Sequence, residues 1–180
     1  FGMERLSRLL GYSGMKGTIC VTPGVSGWQA GVGAQRGADP VEIEATDLIV
    51  VWGGNPVHTN VNLMNHIQKA RKTNGAKLVV VDVYRTSTMA AADIGIVLNP
   101  GTDGALACAM MQVMLAEGMA DETFLAELTD FDTDVRTHLA ERTPEWAAEI
   151  TGIPAAEIRA FARLYGHTAK SFLRLGVGFT

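Results

Sequence analysis

Two short apolar segments rich in β-branched residues determine the fold class of this chain of 180 residues. Residues 48–52 read Leu-Ile-Val-Val-Trp and residues 78–81 read Leu-Val-Val-Val. Neither alternates with polar residues, which is typical of strands buried on both faces. Residues 60–72 lie between them with helical spacing, and parallel neighbouring strands need a crossover of that kind. These segments therefore predict an α/β fold.

The same alternation continues along the chain. We expect further strands at 94–98 and 172–175, a brief one at 18–21, and helices at 2–10, at 26–35, from Asp103 as N-cap to about 118, and in several stretches after 120. This order predicts a three-layer, doubly wound, mostly parallel sheet of the Rossmann-like type, with helices on both faces. Within a single domain we distinguish a glycine-rich segment, 1–38, from an α/β part, 39–180.

Composition excludes several classes of function. The net charge of −4 argues against a protein that binds nucleic acid by neutralising phosphates. The apolar runs are too short to span a membrane, and no signal peptide is visible, so the location, cytoplasmic or periplasmic, stays open. Two cysteines can form neither a disulfide framework nor a four-cysteine metal site. The first residue is Phe and the last ones resemble an interrupted loop, so we expect part of a longer polypeptide.

Each predicted strand is followed by glycine, turn-forming or polar residues, at the edge where open α/β sheets bind ligands. The candidate binding residues are Trp52, Gly53, Gly54, Asn55, Pro56, His58 and Thr59 after the first major strand, Asp82, Val83, Tyr84, Arg85 and Thr86 after the second, Gly101, Thr102 and Asp103 after the third, and Gly176, Val177 and Gly178 after the last. Four such loops together predict a site for a nucleotide-like cofactor.

The residue types suit an anionic, extended ligand. Gly53 and Gly54 allow backbone N–H groups to approach a phosphate, and Arg85 can balance its charge. Asp82 can accept hydrogen bonds from ribose hydroxyls, and Asp103 either reads the N–H edge of guanine or only caps its helix. Neither the G-x-G-x-x-G fingerprint nor a P-loop is present. Two interpretations also stay open for Trp52, stacking on a heterocycle or packing in the core, and His58 lies either beside the ligand or in solvent.

The order of these segments resembles the molybdopterin oxidoreductases of the dimethyl sulfoxide reductase and formate dehydrogenase family. The matching stretches are 45–56, 75–82 with Arg85, Thr86 and Thr88, 92–93, 99–106, 143–146, 150–154, 157–158 and 176–178. No single motif decides the resemblance, but the set is specific and covers essentially the whole chain.

The resemblance implies a bis(molybdopterin guanine dinucleotide) cofactor with molybdenum or tungsten. It implies that the loop at 52–59 contacts the pyrophosphate and pterin side of one dinucleotide. The segments 82–86 and 101–103 would hold the nucleoside end, and 175–179 would approach from another strand. The implied reaction is two-electron redox of a small substrate such as formate, nitrate or an N- or S-oxide.

Family catalytic chains are several times longer than this one. The resemblance therefore implies that the remaining domains of the polypeptide are partners, together with electron-transfer subunits. An iron–sulfur cluster can occur in the full-length protein but not in this chain, which lacks a cysteine cluster. We expect the chain alone to be inactive and without cofactor.

Cys20 is the candidate metal ligand and catalytic residue. Family members ligate the metal through Cys, selenocysteine, Ser or Asp upstream of the Gly-Asn-Pro loop, and 19–27 resembles the formate dehydrogenase segment. A thiolate is a soft donor suited to such a metal. The alternative is a buried free cysteine. Ser26 is a weaker candidate, as an oxygen donor. Cys108 is in the middle of a predicted helix and is expected in the hydrophobic core.

Two other classes of function stay open from the residues alone. A nucleotide- or thiamine-binding α/β domain of another enzyme would have Cys20 far from the strand ends. A non-catalytic assembly domain would have loops 53–59, 82–86 and 101–103 that do not converge.

Overall fold

The computed structural model describes residues 2–14, 17–18, 21–34 and 36–176. The chain divides into two compact units, Phe1–Gly37 and Ala38–Thr180. The candidate residues Cys20, Val177 and Gly178 lie outside the described residues, so their proposed roles stay predictions.

In the described part of the first unit, the helices are α1 (Gly2–Leu10) and α2 (Val21–Val32). As expected, α1 ends before Gly11, whose φ of 67° is left-handed. The strand expected at 18–21 is wrong, because Val21 already belongs to α2, which begins five residues before its expected start. The Thr18 hydroxyl accepts a hydrogen bond from the Val21 amide at 3.2 Å, and the Thr22 hydroxyl accepts one from the Thr18 amide at 3.0 Å. These side chains satisfy amides at the helix start and favour helix over strand.

The second unit is built on a four-stranded sheet. Its strands are β1 (Leu48–Trp52), β2 (Lys77–Asp82), β3 (Ile94–Val97) and β4 (Ser171–Leu175). Every pairing is parallel, and the order is β3-β2-β1-β4. The chain thus moves outward from β1 in one direction and returns to pair on its other side.

Helices connect these strands. A 3₁₀ helix (Pro40–Ala45) precedes β1, α3 (Pro56–Thr59) and α4 (Val61–Asn74) follow it, α5 (Ser87–Ala90) follows β2, and α6 (Asp103–Ala116), α7 (Glu122–Leu128), α8 (Thr133–Ala140), α9 (Pro144–Thr151) and α10 (Ala155–His167) lie between β3 and β4. Among the described residues, no helix is long and apolar enough to cross a membrane.

Most helix ends follow local capping rules. Asp39 accepts a hydrogen bond from the Val41 amide ahead of the 3₁₀ helix, and Thr143 accepts one from the Trp146 amide ahead of α9. Asp103 differs from the expectation that it is an N-cap. Thr102 occupies the cap position without a side-chain capping bond, and Asp103 is the first helical residue. Its carboxylate has a tertiary partner instead, described below.

The alternation of side chains along the buried strands divides the core in two. Val50 and Val79 face one side of the sheet and pack with α6, α9 and α10. Ile49 and Val80 face the other side and pack with the 3₁₀ helix, α4 and α5. The expected three-layer α/β fold with helices on both faces is confirmed.

Candidate functional site

A cleft opens where the strand order changes direction, beyond the carboxyl ends of β1 and β4. Adjacent crossovers leave a sheet to opposite sides at such a point, and open α/β sheets bind ligands there. The cleft has a volume of about 250 Å³. Its lining includes Gly53, Gly54 and Asn55 after β1, Asn60 at the start of α4, and Arg174 of β4.

Glycine backbone forms the wall between β1 and β4. The Gly176 amide donates a 2.7 Å hydrogen bond to the Trp52 carbonyl, which extends the β1–β4 pairing past the strands. A Cβ atom on Gly176 would overlap the carbonyl oxygen of Gly53, and Gly53 itself has a φ of 65°. Only glycine fits at these two positions without displacing the backbone. The result is a half-buried stretch of main chain at the cleft.

The loop after β1 is fastened to the segment after β2. The Asn55 Oδ1 accepts a 2.7 Å hydrogen bond from the Thr88 hydroxyl, and the same hydroxyl accepts one from the Val57 amide at 3.2 Å. His58 Nε2 lies 2.9 Å from the Ser87 hydroxyl oxygen. Thr88 is buried, so this link is shielded from water. Asn55 therefore fixes the shape of the loop that carries the glycines.

The end of β1 is also joined to the start of α6. Trp52 Nε1 donates a 2.6 Å hydrogen bond to Oδ1 of Asp103, which is only 5% exposed. The Trp52 ring lies in the core, with its centroid 6.4 Å from that of Phe161. Of the two interpretations of Trp52, packing in the core describes these surroundings.

Residues after β2 divide into exposed and buried groups. Val83 and Tyr84 are 41% and 59% exposed, and Arg85 is exposed as well. Asp82 accepts a 2.8 Å hydrogen bond from the Val83 amide through one carboxylate oxygen. Thr86 is buried and caps α5 by accepting from the Met89 amide. Its side chain thus positions the loop, whereas the exposed residues face solvent.

The loop after β3 is shaped by its own hydrogen bonds. Gly101 adopts a left-handed φ of 77°, and the Thr102 hydroxyl donates to the Asn99 carbonyl at 2.6 Å. This loop lies at the same edge of the sheet as the loops after β1 and β2. The Asn55–Thr88 and Trp52–Asp103 hydrogen bonds connect segments along that edge. Among the described residues, the loop after β1 and the end of β4 line the cleft, whereas residues 82–86 and 101–103 do not.

Arg174 and Asn60 line the cleft but do not appear among the sequence-predicted binding residues. The sequence feature that could have identified Arg174 as a binding residue is its charge, in an otherwise largely apolar strand directly ahead of a predicted ligand loop. Asn60 accepts a hydrogen bond from the Leu63 amide and caps α4. Its sequence position therefore indicates only a helix cap and not a place at the cleft.

Within the described ranges, no group of three or more His, Cys, Asp or Glu side chains is placed to hold a metal ion. The carboxylates with displaced pKa values belong to ion pairs between helices. Hydrogen bonds from Lys69 and then His66 lower the pKa of Glu44, and the hydrogen-bonded Arg163 guanidinium lowers that of Glu117. These pairs stabilise the surroundings of the sheet.

Comparison with known families identifies the fold that carries this cleft. Residues 6–179 match the family model described as molybdopterin oxidoreductase. The chain belongs to the molybdopterin oxidoreductase family. The resemblance inferred from the sequence motifs is thereby confirmed.

The relatives of this chain include enzymes with different names. A probable oxidoreductase, YoaE, of Bacillus subtilis (strain 168) is 40% identical over 98% of this chain and 26% of its own length. Formate dehydrogenase H of Escherichia coli (strain K12) is 35% identical over 88% of this chain and 22% of its own length. Dimethyl sulfoxide reductase DmsA of Haemophilus influenzae is 33% identical over 84% and 21%. The chain thus spans about a quarter or less of each of these relatives.

A solved structure shares the architecture. Acetylene hydratase from Pelobacter acetylenicus superimposes with a TM-score of 0.68 at 26% identity, over 77% of this chain and 21% of that one. The α/β fold described above is therefore also present in that enzyme.

Proposed function

We propose that this chain is the part of a larger oxidoreductase that holds one half of a bis(molybdopterin guanine dinucleotide) cofactor with molybdenum or tungsten. The observation that carries the proposal is the cleft at the β1–β4 switch point, walled by the main chain of Gly53, Gly54 and Gly176. Family membership supports a molybdenum or tungsten pterin, and the guanine dinucleotide form is our inference.

The donor set fits an anionic dinucleotide. Within the described residues the Gly54 amide carries no hydrogen bond and can bind a phosphate oxygen without side-chain obstruction, whereas the Gly53 and Gly176 amides already donate to the Val81 and Trp52 carbonyls. The cleft of about 250 Å³ lies below the range of about 300–1,000 Å³ for sites that enclose a small ligand. It accordingly accommodates only a portion of a dinucleotide. The remainder would extend over the exposed residues after β2 and over parts of the polypeptide that the relatives have in addition.

Different loop residues would bind different parts of the nucleoside end of the cofactor. Tyr84 offers an exposed ring for the base, and Arg85 an exposed cation. Within the described residues, the second carboxylate oxygen of Asp82 carries no hydrogen bond and suits a ribose hydroxyl. Asp103 is oriented by Trp52, and its second oxygen suits an N–H of guanine.

The cofactor, when bound, supplies two-electron redox at the metal, and the protein positions it. We propose Cys20 as the protein ligand, since a thiolate is a soft anionic donor. Formate, nitrate or an N- or S-oxide is the proposed substrate class, supported by the names of the formate dehydrogenase and dimethyl sulfoxide reductase relatives. The remaining domains and electron-transfer subunits complete the site, and the chain alone is expected to be inactive.

Metal and nucleotide analysis of the full-length protein tests the proposal. We would purify wild type, Cys20→Ala and the matched control Cys108→Ala, and measure molybdenum, tungsten and the guanosine monophosphate released by acid hydrolysis. We expect a nucleotide-to-metal ratio of about 2 in wild type and in the control, the stoichiometry of a bis-dinucleotide cofactor. Cys20→Ala should lose metal or activity.

Two outcomes separate the parts of the proposal. Wild-type protein without pterin and metal would overturn the function. Unchanged metal content, metal spectrum and activity in Cys20→Ala would remove only Cys20 as ligand.

A further inference from the structure

Arg174 is the charged residue of the cleft. The described residues that line it are otherwise uncharged: Val51, Gly53, Gly54, Asn55, Pro56, Thr59, Asn60, Leu63, Leu175 and Gly176. A single cation in such a setting gives the cleft a preference for anions.

The sheet register explains how Arg174 reaches this position. It pairs with Val51 across the parallel β1–β4 ladder, one residue before both strands end. Side chains paired across neighbouring strands share a face, so Arg174 lies on the face that Val51 presents to α4. Arg174 therefore lies at the carboxyl edge of the sheet, on the same side as α4. Asn60, at the start of α4, also lines the cleft.

Most donors of the Arg174 guanidinium have no partner in the described part of the chain. One Nη1 hydrogen bond of 2.7 Å goes to the Leu175 carbonyl. No ion pair to a described carboxylate exists, whereas Arg71 pairs with Asp93 and Arg163 with Glu117. A guanidinium has five N–H donors, so Arg174 can bind a further group with several oxygens.

We propose that Arg174 binds a phosphate group of the dinucleotide cofactor. The inference rests on the proposed function and adds a residue to it. A planar guanidinium binds phosphate through two parallel hydrogen bonds, which lysine cannot reproduce. Gly54, which follows the neighbouring strand β1, lines the same cleft, so its backbone N–H group and the cation meet there. Arg174 is in this account a cofactor-positioning residue.

Cofactor retention by the full-length protein tests this role. The variants are Arg174→Gln, Arg174→Lys and the control Arg136→Gln. The control breaks an exposed ion pair with Glu122 and a cation–π contact with Phe131, and none of these residues lines the cleft. We would measure released guanosine monophosphate per mole of protein and the rate of cofactor loss at low and high salt. Thermal unfolding of cofactor-free protein from a strain that cannot make molybdopterin reports folding.

Arg174→Gln should lose the cofactor at least about tenfold faster, the loss expected for one charged hydrogen-bonding group. Arg174→Lys should be intermediate, and Arg136→Gln should equal wild type. Salt should accelerate cofactor loss more in wild type than in Arg174→Gln, because the variant lacks the screened interaction. If Arg174→Gln does not fold, Arg174→Lys, which keeps the charge but lacks the paired donors, should still lose the cofactor faster than wild type.

Three results would overturn the proposal. If the variants retain the cofactor as well as wild type does, with the same salt dependence of cofactor loss, Arg174 pairs with another part of the polypeptide. The proposed function would then stand. A raised KM for formate or nitrate with unchanged cofactor retention would mean that it binds substrate. Wild-type protein without a guanine dinucleotide would overturn this proposal and the proposed function together.

Discussion

Trp52, the last residue of β1, donates its indole N–H to the carboxylate of Asp103, the first residue of α6, at 2.6 Å. These residues stand 51 positions apart and join two of the loops at the carboxyl edge. A carboxylate that is 5% exposed needs such a donor, because a buried charge without a partner is costly. The bond therefore stabilises both the fold and the edge that carries the candidate site.

Replacing Trp52 with Phe should destabilise the chain by about 1.5–3 kcal/mol, the usual value for a hydrogen bond to a charged group. Phenylalanine keeps an aromatic ring in the core but is smaller than the indole, so the loss combines the missing donor with reduced packing. Urea unfolding measures it. Trp146→Phe is the control: Trp146 packs at the edge of the same core cluster, and it should lose less. Equal losses in both variants would contradict a specific role for the Trp52–Asp103 bond.

Replacing Thr88 with Val should cost about 1–3 kcal/mol, because Val keeps the shape but removes the hydroxyl that accepts from the Val57 amide and donates to Asn55 Oδ1. Asn55 Oδ1 then keeps only the 3.3 Å hydrogen bond from the amide of residue 88. The glycine loop should then be cut faster by proteases. Thr137→Val removes an exposed hydroxyl that only bonds within its own helix, and should change stability by less than about 0.5 kcal/mol. A stable, protease-resistant Thr88→Val would disprove the link.

Replacing Gly54 with Ala should separate folding from cofactor binding. The new Cβ would lie 3.7 Å from Val51 Cγ1, an ordinary contact, and Gly54 does not need a left-handed φ. The free energy of unfolding should rise by about 0.4–1 kcal/mol, since alanine restricts the unfolded chain. The methyl group narrows the cleft, so the dinucleotide content of the full-length protein should fall.

Gly95→Ala should give the opposite result. Its Cβ would approach Met89 Cγ to 2.6 Å, which destabilises the chain without touching the cleft, so cofactor content should stay at the wild-type level. Unchanged dinucleotide content in Gly54→Ala would argue against the glycine wall as a binding surface.

Acid should weaken the contact between the 3₁₀ helix and α4. Hydrogen bonds from Lys69 and then His66 lower the pKa of Glu44 below its ordinary value of 4.5. The unfolded chain therefore takes up a proton at a higher pH than the folded chain. Stability from this group is fully present above 4.5 and is lost as the pH falls through the lowered pKa.

Glu44→Gln should reduce the decline in stability between about pH 5 and about pH 3 relative to wild type. Urea unfolding at a series of pH values measures the difference. Glu149→Gln, at an exposed position without an ion pair among the described residues, should keep the wild-type slope. Identical slopes in wild type and Glu44→Gln would contradict this assignment.

Local sequence was sufficient for the sheet and insufficient for two details. The apolar runs predict β1 and β2 because burial on both faces leaves no other arrangement for them. The β-branched and apolar residues near 18–21 suggested a strand, but Thr18 and Thr22 provide hydrogen bonds that start a helix. Asp103 resembles an N-cap locally, and its actual partner is distant in sequence.

The cleft itself was only partly predictable. The glycine loops are visible in the sequence as turn residues after strands, and Gly53, Gly54 and Gly176 line the cleft at the carboxyl edge. The strand order is a property of the whole sheet, and only it brings Arg174 beside the loop after β1. No local pattern distinguishes a strand that pairs with β1 from one that extends the opposite edge.

The pairing of β4 with β1 has a consequence during protein synthesis. Gly53 and Gly176 lie about 120 residues apart in the chain but are in contact in the wall of the cleft. Such contacts form late, because closing a long loop is entropically costly. A ribosome must therefore release β4 before the cleft exists, and cofactor insertion has to wait for translation of this whole segment.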